Sequence, residues 1–125
     1  MTLQPAVQCH DLSFGFGDRD VFQEVNLSIP EGDFVSVVGP NGSGKTTLLK
    51  LALGLLTPTH GDMAVFGQAP HKARHRIGYV PQHPRLDPLF PVSALDVALM
   101  GRLGRTPAWG PWRNDDRDRA LSALD

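Results

Sequence analysis

Positions 39 to 46 of the chain read Gly39-Pro40-Asn41-Gly42-Ser43-Gly44-Lys45-Thr46, which fits the pattern G-x-x-x-x-G-K-[ST]. An apolar run at 34–38 precedes this stretch, and a helix-forming run at 46–56 follows it. The order strand, glycine-rich loop and helix is the setting in which this pattern binds phosphate. Glycines let successive backbone N–H groups converge on one anion, and the start of a helix adds further unpaired N–H groups. The stretch therefore predicts a binding site for a nucleoside triphosphate.

Two side chains of this loop have predicted roles. Lys45 faces the β- and γ-phosphates, and the hydroxyl of Thr46 ligates Mg²⁺. A lysine at the positive end of a helix is ordinarily unfavourable by roughly 0.3–1 kcal/mol. Bound phosphates remove that conflict, so the position of Lys45 itself favours an anionic ligand.

The composition sets limits on the class of protein. With 125 residues the chain has material for about one domain, and its 11 prolines and 13 glycines indicate many loops. Twelve basic and 13 acidic side chains give a net charge of −1, which does not indicate wholesale binding to nucleic acid or anionic lipid. The single cysteine, Cys9, excludes an internal disulfide and suits a reducing cytosol. No signal peptide is visible, and the longest apolar stretch, 48–56, is too short to cross a bilayer.

Hydrophobic patterns and turn residues predict the order of secondary structure. The expected strands lie at 7–16, 21–29, 34–38, 62–66 and 77–80, and the strand at 34–38 should be buried on both faces. The helix at 46–56 is apolar around most of its circumference and should also be buried. A second helix should begin after Ser93 and end at Gly101, and a third should begin at Asn114.

Four stretches taken together resemble the N-terminal half of an ATP-binding cassette (ABC) nucleotide-binding domain. They are Leu12–Gly17, the phosphate loop Gly39–Thr47, Leu53–Gly61 and Ile77–Gln82. The resemblance implies an α/β fold, namely a P-loop NTPase core with an N-terminal antiparallel β subdomain and the beginning of a helical subdomain. The β subdomain and core would occupy about 1–82, and the truncated helical subdomain about 83–125.

The same resemblance assigns a nucleotide site for ATP and Mg²⁺. Phe16 would stack on adenine, as aromatic side chains do on bases generally. Gln82 would ligate Mg²⁺ together with Thr46 or hold the attacking water, and Lys45 and Gln82 would be the catalytic residues present. The implied nucleotide-binding residues are Phe16, Val21, Gly39, Pro40, Asn41, Gly42, Ser43, Gly44, Lys45, Thr46 and Thr47. Without the other motifs, ordinary strand packing is the less favoured alternative for Phe16. A Pro-Gln dipeptide on its own would most often be a simple turn, and the distance of Gln82 from the phosphate loop favours the functional interpretation.

Several features of the family are absent from these 125 residues. No Leu-Ser-Gly-Gly-Gln-like signature follows Gln82, no apolar strand ends in an Asp-Glu pair, and no histidine has the context of a γ-phosphate sensor. We therefore expect an incomplete domain that does not hydrolyse ATP alone. Because the strands at 34–38 and 77–80 would have unpaired edges, we also do not expect a stable monomer.

Residues 90–102 resemble the start of the helical subdomain in importer ATPases that serve zinc, manganese and iron-chelate transporters. The resemblance implies the energy-coupling subunit of an ABC importer, peripheral on the cytoplasmic face of the membrane. Its partners would be a second ATPase subunit in a head-to-tail dimer and a permease that docks on 82–102. Nucleic acid is not an expected partner.

Other functions remain open from the sequence. They are a non-transport ABC ATPase of translation or DNA repair, a P-loop kinase or GTPase, and a degenerate fragment that binds nucleotide without catalysis; the N-K-x-D segment of a GTPase is absent. The basic segment His71–Arg76 is interpreted as a solvated loop rather than a metal or nucleic-acid site. Trp109 and Trp112 could face a partner or pin a long loop, with no preference between the two.

Overall fold

The computed structural model of the chain describes residues 4–83, 87–105 and 111–125. The chain divides into two compact units, Met1–Gly78 and Tyr79–Asp125. The first unit contains strands β1 (Val7–Phe16), β2 (Arg19–Ile29) and β3 (His60–Val65) and helices α1 (Lys45–Ala52) and α2 (Pro70–Ala73), followed by a 3₁₀ turn at Arg74–Arg76. The second unit contains helices α3 (Ala94–Met100) and α4 (Asn114–Leu124). Among the described residues, no helix has the length and apolar character needed to cross a membrane.

The three strands form one antiparallel sheet in the order β2-β1-β3. Gly17 adopts φ = +56° in the two-residue turn between β1 and β2, which pairs Phe16 directly with Arg19. The pairing of β1 is irregular near Asp11, which has φ = +45°. Asn26 on β2 holds this irregularity, since its side chain accepts from the Asp11 backbone N–H at 3.0 Å and donates to the Asp11 carboxylate at 3.0 Å. The strand predicted at 7–16 is confirmed with its bounds. The strand predicted at 21–29 is confirmed but begins at Arg19, and the strand predicted at 62–66 is found at His60–Val65.

Helix α1 packs on this sheet through Leu51, which is 1% exposed. The core of the unit comprises Cys9, Leu12, Phe14, Leu51 and Met63. Burial, with a smaller effect of the Asp62 charge, raises the pKa of the Cys9 thiol, which fits a cysteine that serves as a small core residue. The prediction of a wholly buried helix is wrong, because the sheet covers one side of α1 and Leu49 remains 46% exposed.

Helix α1 also ends four residues before the predicted boundary. Gly54 adopts φ = +69°, and its N–H donates to Leu51 O at 3.0 Å. The N–H of Leu55 donates to Lys50 O at 2.9 Å, which completes a Schellman motif. The Arg74 guanidinium caps the same end, since it donates to Leu53 O at 3.0 Å and Gly54 O at 2.6 Å. The helix therefore stops where its terminal carbonyls find these donors.

The prediction of strands at 34–38 and 77–80 is wrong. Neither segment is a strand, and the sheet of the first unit does not extend to them. Phe34 is 100% exposed and Val38 86%, so the expected burial of 34–38 is also wrong. A strand exists only when a neighbour completes its hydrogen-bond ladder. Within the described ranges, no such neighbour lies beside either segment.

The second unit is a pair of helices. Helix α3 begins at Ser93, whose side chain accepts from the Asp96 backbone N–H at 3.2 Å, while the Asp96 carboxylate accepts from the Ser93 N–H at 2.8 Å. This capping box and the end at Gly101 confirm the predicted helix. Helix α4 carries acids in its first turn, also as predicted. Trp112 is 38% exposed, while Trp109 lies outside the described residues.

Candidate nucleotide-binding site

The predicted phosphate loop connects residue 38 to helix α1 and turns at two glycines. Gly42 has φ = +81° and Gly44 has φ = +96°, values that L side chains adopt at a cost. The N–H of Ser43 donates to Pro40 O at 3.2 Å and closes the turn. Gly44 is the N-cap of α1, and its carbonyl accepts the first helical hydrogen bond from Leu48 at 2.9 Å. The last glycine of the loop is therefore also the first residue that caps the helix.

The N-terminus of α1 is electropositive. Its N-cap makes no side-chain hydrogen bond, and its first turn contains no acidic residue. The first-turn N–H groups therefore keep their capacity to bind an anion, and the helix dipole favours negative charge there. Thr46 lies in this turn with an exposed side chain, and Thr47 is half-buried beside it.

The ammonium group of Lys45 lies over the phosphate loop. It donates to the carbonyl oxygens of Gly39 and Pro40, the latter at 2.9 Å. A lysine has three N–H donors, so one donor remains for an oxygen of another group. The two carbonyls hold the charge beside the loop glycines, where a phosphate chain would lie. Exposed side chains of Asn41 and Ser43 border the same loop.

The β1–β2 hairpin packs against the loop. A Cβ atom on Gly44 would lie 2.7 Å from Val21 Cγ1 and 2.9 Å from Phe22 Cζ, which leaves no room for a side chain at position 44. A Cβ on Gly39 would lie 2.7 Å from Ser43 Oγ. Val21 was included in the predicted site, and the structure places it against the loop. Its contact is packing of β2 onto Gly44.

Phe16 stands at the end of β1, at the tip of this hairpin. Its ring is 54% exposed and makes an edge-to-face contact with Phe14, with ring centroids 4.9 Å apart at 90°. Phe14 is 7% exposed and anchors that edge in the core. More than half of the surface of Phe16 is therefore accessible, and its ring also packs on Phe14.

Gln82 belongs to the other compact unit and is exposed. The predicted loop residues and Val21 are brought together within the first unit, which also contains Phe16, whereas Gln82 belongs to the second unit. Sequence reasoning missed Arg19, whose guanidinium reaches the loop at Gly42. The two-residue turn after Phe16 was the available signal, because it sets Arg19 opposite Phe16.

The basic segment His71–Arg76 is structured rather than a simple loop. It forms most of α2 and the 3₁₀ turn, and two of its cations have structural contacts. Arg74 caps α1, and the Arg76 guanidinium lies 3.8 Å from the Phe66 ring centroid. In the part of the chain that the structure describes, no cluster of three or more His, Cys, Asp or Glu side chains could hold a metal ion.

A glycine loop at the N-terminus of a helix, covered by a β hairpin, defines the chain as a phosphate-loop protein with the P-loop NTPase fold. The model of the ABC transporter family matches residues 22–125. The chain belongs to this family, which confirms the fold class and the resemblance found in the sequence.

Curated relatives in this family include metal transport proteins. The manganese transport system ATP-binding protein MntB of Bacillus subtilis (strain 168) is 40% identical over 118 residues, which are 94% of this chain and 47% of that protein. The zinc import ATP-binding protein ZnuC of Marinobacter nauticus is 43% identical over 104 residues, covering 83% of this chain and 37% of that one. The chain thus spans about half the length of the curated relatives it matches, or less.

Solved structures show the same fold. A metal-chelate type ABC transporter in an inward-facing conformation matches with a TM-score of 0.76 and 31% identity, over 97% of this chain and 44% of that one. The ATP-binding cassette MJ0796, a dimer in a post-hydrolysis state with ADP and Pi, matches with a TM-score of 0.73 and 30% identity, over 94% and 55%.

Proposed function

We propose that the chain binds ATP with Mg²⁺ through the phosphate loop, as part of the energy-coupling subunit of an ABC-type importer for metal ions or metal chelates. The observation that supports it most directly is the ammonium of Lys45 held over Gly39 and Pro40 at the uncapped N-terminus of α1. The names of the manganese and zinc relatives support the class of cargo.

In this site the loop residues 39–47 cradle the phosphates with backbone N–H groups, and Lys45 supplies a positive charge. Phe16 offers its exposed face to the adenine ring. Thr46 contributes its hydroxyl to Mg²⁺. A hydroxyl oxygen suits this hard cation, which prefers oxygen ligands and retains several waters. The site residues fit the ion in their donor chemistry.

The remaining roles belong to the complete protein. In the complete protein, Gln82 would ligate Mg²⁺ together with Thr46 or hold the attacking water. ATP hydrolysis would then require the family's signature, Asp-Glu and histidine motifs. The proposed domain boundaries follow the same family pattern. Residues of about 1–82 would form the core with its β subdomain, and residues of about 83–125 would form the start of the helical subdomain.

ATP titration of the folded chain by calorimetry tests the site. Lys45→Ala should weaken ATP binding by about tenfold or more, since charged hydrogen bonds contribute about 1.5–3 kcal/mol each. Lys50→Ala removes the same charge from the last turn of the same helix and should leave binding unchanged. Phe16→Ala should cost less and should affect ATP and ADP alike. An unchanged affinity for ATP in Lys45→Ala would refute the assignment of the site.

The permease is the proposed membrane partner, with a docking surface at 82–102 on the cytoplasmic side of the membrane. Leu89 is 89% exposed and Phe90 62%, an unusual apolar density for a loop. Leu86 shares this pattern in the sequence but lies outside the described residues. In the complete transporter, cysteines at Leu89 and Phe90 should cross-link to the permease, whereas a cysteine at exposed Lys72 should not. Equal capture at all three positions would contradict the docking surface.

A head-to-tail dimer of ATPase subunits is proposed for the complete protein. The dimeric ATP-binding cassette among the similar structures supports it. Co-purification with a polytopic membrane protein would separate an importer subunit from an ABC ATPase of translation or DNA repair.

A further inference from the structure

The tip of the β1–β2 hairpin joins the proposed base platform to the phosphate loop through one side chain, Arg19. Phe16 and Arg19 are directly paired across the two-residue turn. Side chains of directly opposite residues lie on the same face of the sheet, with Cβ atoms roughly 4.5–5.5 Å apart. Arg19 is therefore the direct cross-strand neighbour of Phe16.

The guanidinium of Arg19 extends from this position to the loop. Its Nη2 atom lies 4.0 Å from the point that a Cβ on Gly42 would occupy. Gly42 has φ = +81° and no side chain, so the cation approaches the loop backbone at its turn. The packing of Val21 and Phe22 on Gly44 holds the start of β2 against the loop at a second point.

The positive charge of Arg19 has no acidic partner among the described residues. Within 4–83, 87–105 and 111–125, the side chain of Arg19 forms no salt bridge and no hydrogen bond with another protein group. The salt bridges in these ranges are formed by Arg102 and Arg119. The carboxylate of neighbouring Asp20 accepts from the Gln23 side-chain amide at 2.7 Å. Arg19 is exposed, and its guanidinium, which has five N–H donors, reaches the phosphate loop through Nη2.

We propose that Arg19 is a second phosphate-binding cation of the nucleotide site, one that contacts the phosphate chain between the base on Phe16 and the loop. This inference rests on the proposed function and names a further ligand-binding residue within it. Guanidinium is well suited to the role, because its planar fork matches phosphate oxygens and it is never deprotonated in proteins. Lys45 thus acts from the helix side of the loop and Arg19 from the hairpin side.

The test compares neutral variants by calorimetry with MgATP and MgADP at several salt concentrations. Arg19→Gln, which keeps much of the side-chain length, and Arg19→Ala should each weaken both nucleotides by about tenfold. Both should also reduce the dependence of affinity on salt, because one charge–charge contact is lost. Arg19→Lys should recover part of the affinity. Lys72→Ala, which removes an exposed cation from the same unit, should change neither quantity.

The outcomes separate the two claims. If Lys45→Ala loses ATP and Arg19→Gln does not, the role of Arg19 is refuted and the proposed site stands. If neither variant affects ATP, the proposed site itself fails. A loss of affinity in Arg19→Gln with an unchanged salt dependence would mean that Arg19 acts through packing alone, which also overturns the inference. Circular dichroism of each variant confirms the fold, and Arg19→Gln remains informative if Arg19→Ala unfolds.

Discussion

At Gly44 the backbone has φ = +96°, and a Cβ atom there would meet Val21 Cγ1 at 2.7 Å. Gly32 has nearly the same backbone conformation, φ = +90°, but nothing lies within 4 Å of its Cβ position. The two glycines therefore distinguish the need for a left-handed backbone from the need for space beside the backbone. Both relieve left-handed strain, and Gly44 alone also permits the hairpin to approach the phosphate loop.

This pair gives a prediction for stability and binding. Gly32→Ala should cost about 1–2 kcal/mol of unfolding free energy, the ordinary penalty of the left-handed region. Gly44→Ala should cost distinctly more, because Val21 and Phe22 must move, and it should also weaken ATP binding. Urea unfolding and ATP titration of both variants measure the difference. Equal costs, with ATP affinity retained in Gly44→Ala, would show that the hairpin does not constrain the loop.

The residues of the candidate site differ in how well the sequence predicts them. Lys45 and Thr46 belong to a contiguous motif whose chemistry is local, so their place at the start of α1 could be read directly. Arg19 could not be predicted from a local motif, because its approach to the loop at Gly42 depends on how the hairpin folds over the loop. Gln82 was assigned by resemblance, because a Pro-Gln dipeptide is by itself typical of a simple turn.

Among the elements, helices α3 and α4 are joined through a nearly buried ion pair. Asp116 is 2% exposed, and its carboxylate accepts from Arg102 Nε at 2.9 Å. The Arg102 hydrogen bond holds the pKa of Asp116 below its ordinary value of 3.8, with a further contribution from the Arg113 backbone N–H. On α3, hydrogen bonds from Ser93 lower the pKa of Asp96 as well.

These shifts predict that the helix pair loses stability in acid. A carboxyl with a lowered folded-state pKa stabilises the fold above its unfolded value, and this contribution disappears as the pH falls through the folded value. Melting of the helices, followed by circular dichroism between pH 5 and pH 2, should therefore occur more readily below about pH 4. Asp116→Asn should flatten this dependence, whereas Asp118→Asn, at an exposed position of the same helix, should not. A parent chain equally stable across the range would contradict the role of the ion pair.

The sequence predicted β1 and α3 well because their signals are local. A two-residue turn ends β1, and a serine with an acid three positions later begins α3. The segment 34–38 has an equally clear apolar pattern, but a strand is completed by its neighbours. Within the described residues no backbone hydrogen bond links 34–38 to another strand. The sequence pattern could predict that this segment tends to form a strand, but it could not predict whether a neighbouring strand is present to pair with it.

Hydrogen exchange should reveal this difference. Amides of 35–38 should exchange near the rate of an unstructured chain, because they lack ladder hydrogen bonds. Amides of β1, the central strand, should be protected, since β1 pairs on both sides. Mass spectrometry of peptides from the two segments measures the contrast in one sample. Protection of 35–38 equal to that of β1 would show that the segment is paired in solution.

The phosphate loop contains every residue of its motif, whereas apolar side chains on the segments that lead to it are exposed. Phe34, Val38 and Val80 are 86% or more exposed, on the segments that lead to the loop and to Gln82. The chain spans 47% of its manganese-transport relative, so that protein contains as much sequence again. Apolar surface of this kind is ordinarily covered by further structure. We expect nucleotide binding to need only the loop and the hairpin, and we expect catalysis to need further residues.

ATP binding and ATP hydrolysis should therefore differ in this chain. These 125 residues should bind ATP yet hydrolyse it far more slowly than about 1 s⁻¹, the lower end of ordinary enzyme turnover. Phosphoryl transfer depends on charge stabilisation and on positioning of the attacking water. Lys45 would supply charge stabilisation, but the sequence contains no Asp-Glu pair to supply the metal-binding and water-polarising carboxylates. A phosphate-release assay on the purified chain, with Lys45→Ala as the control for contaminating ATPases, measures the rate. Turnover near 1 s⁻¹ that disappears in Lys45→Ala would show that the residues present are sufficient for catalysis, whereas turnover that persists in Lys45→Ala would be assigned to a contaminant.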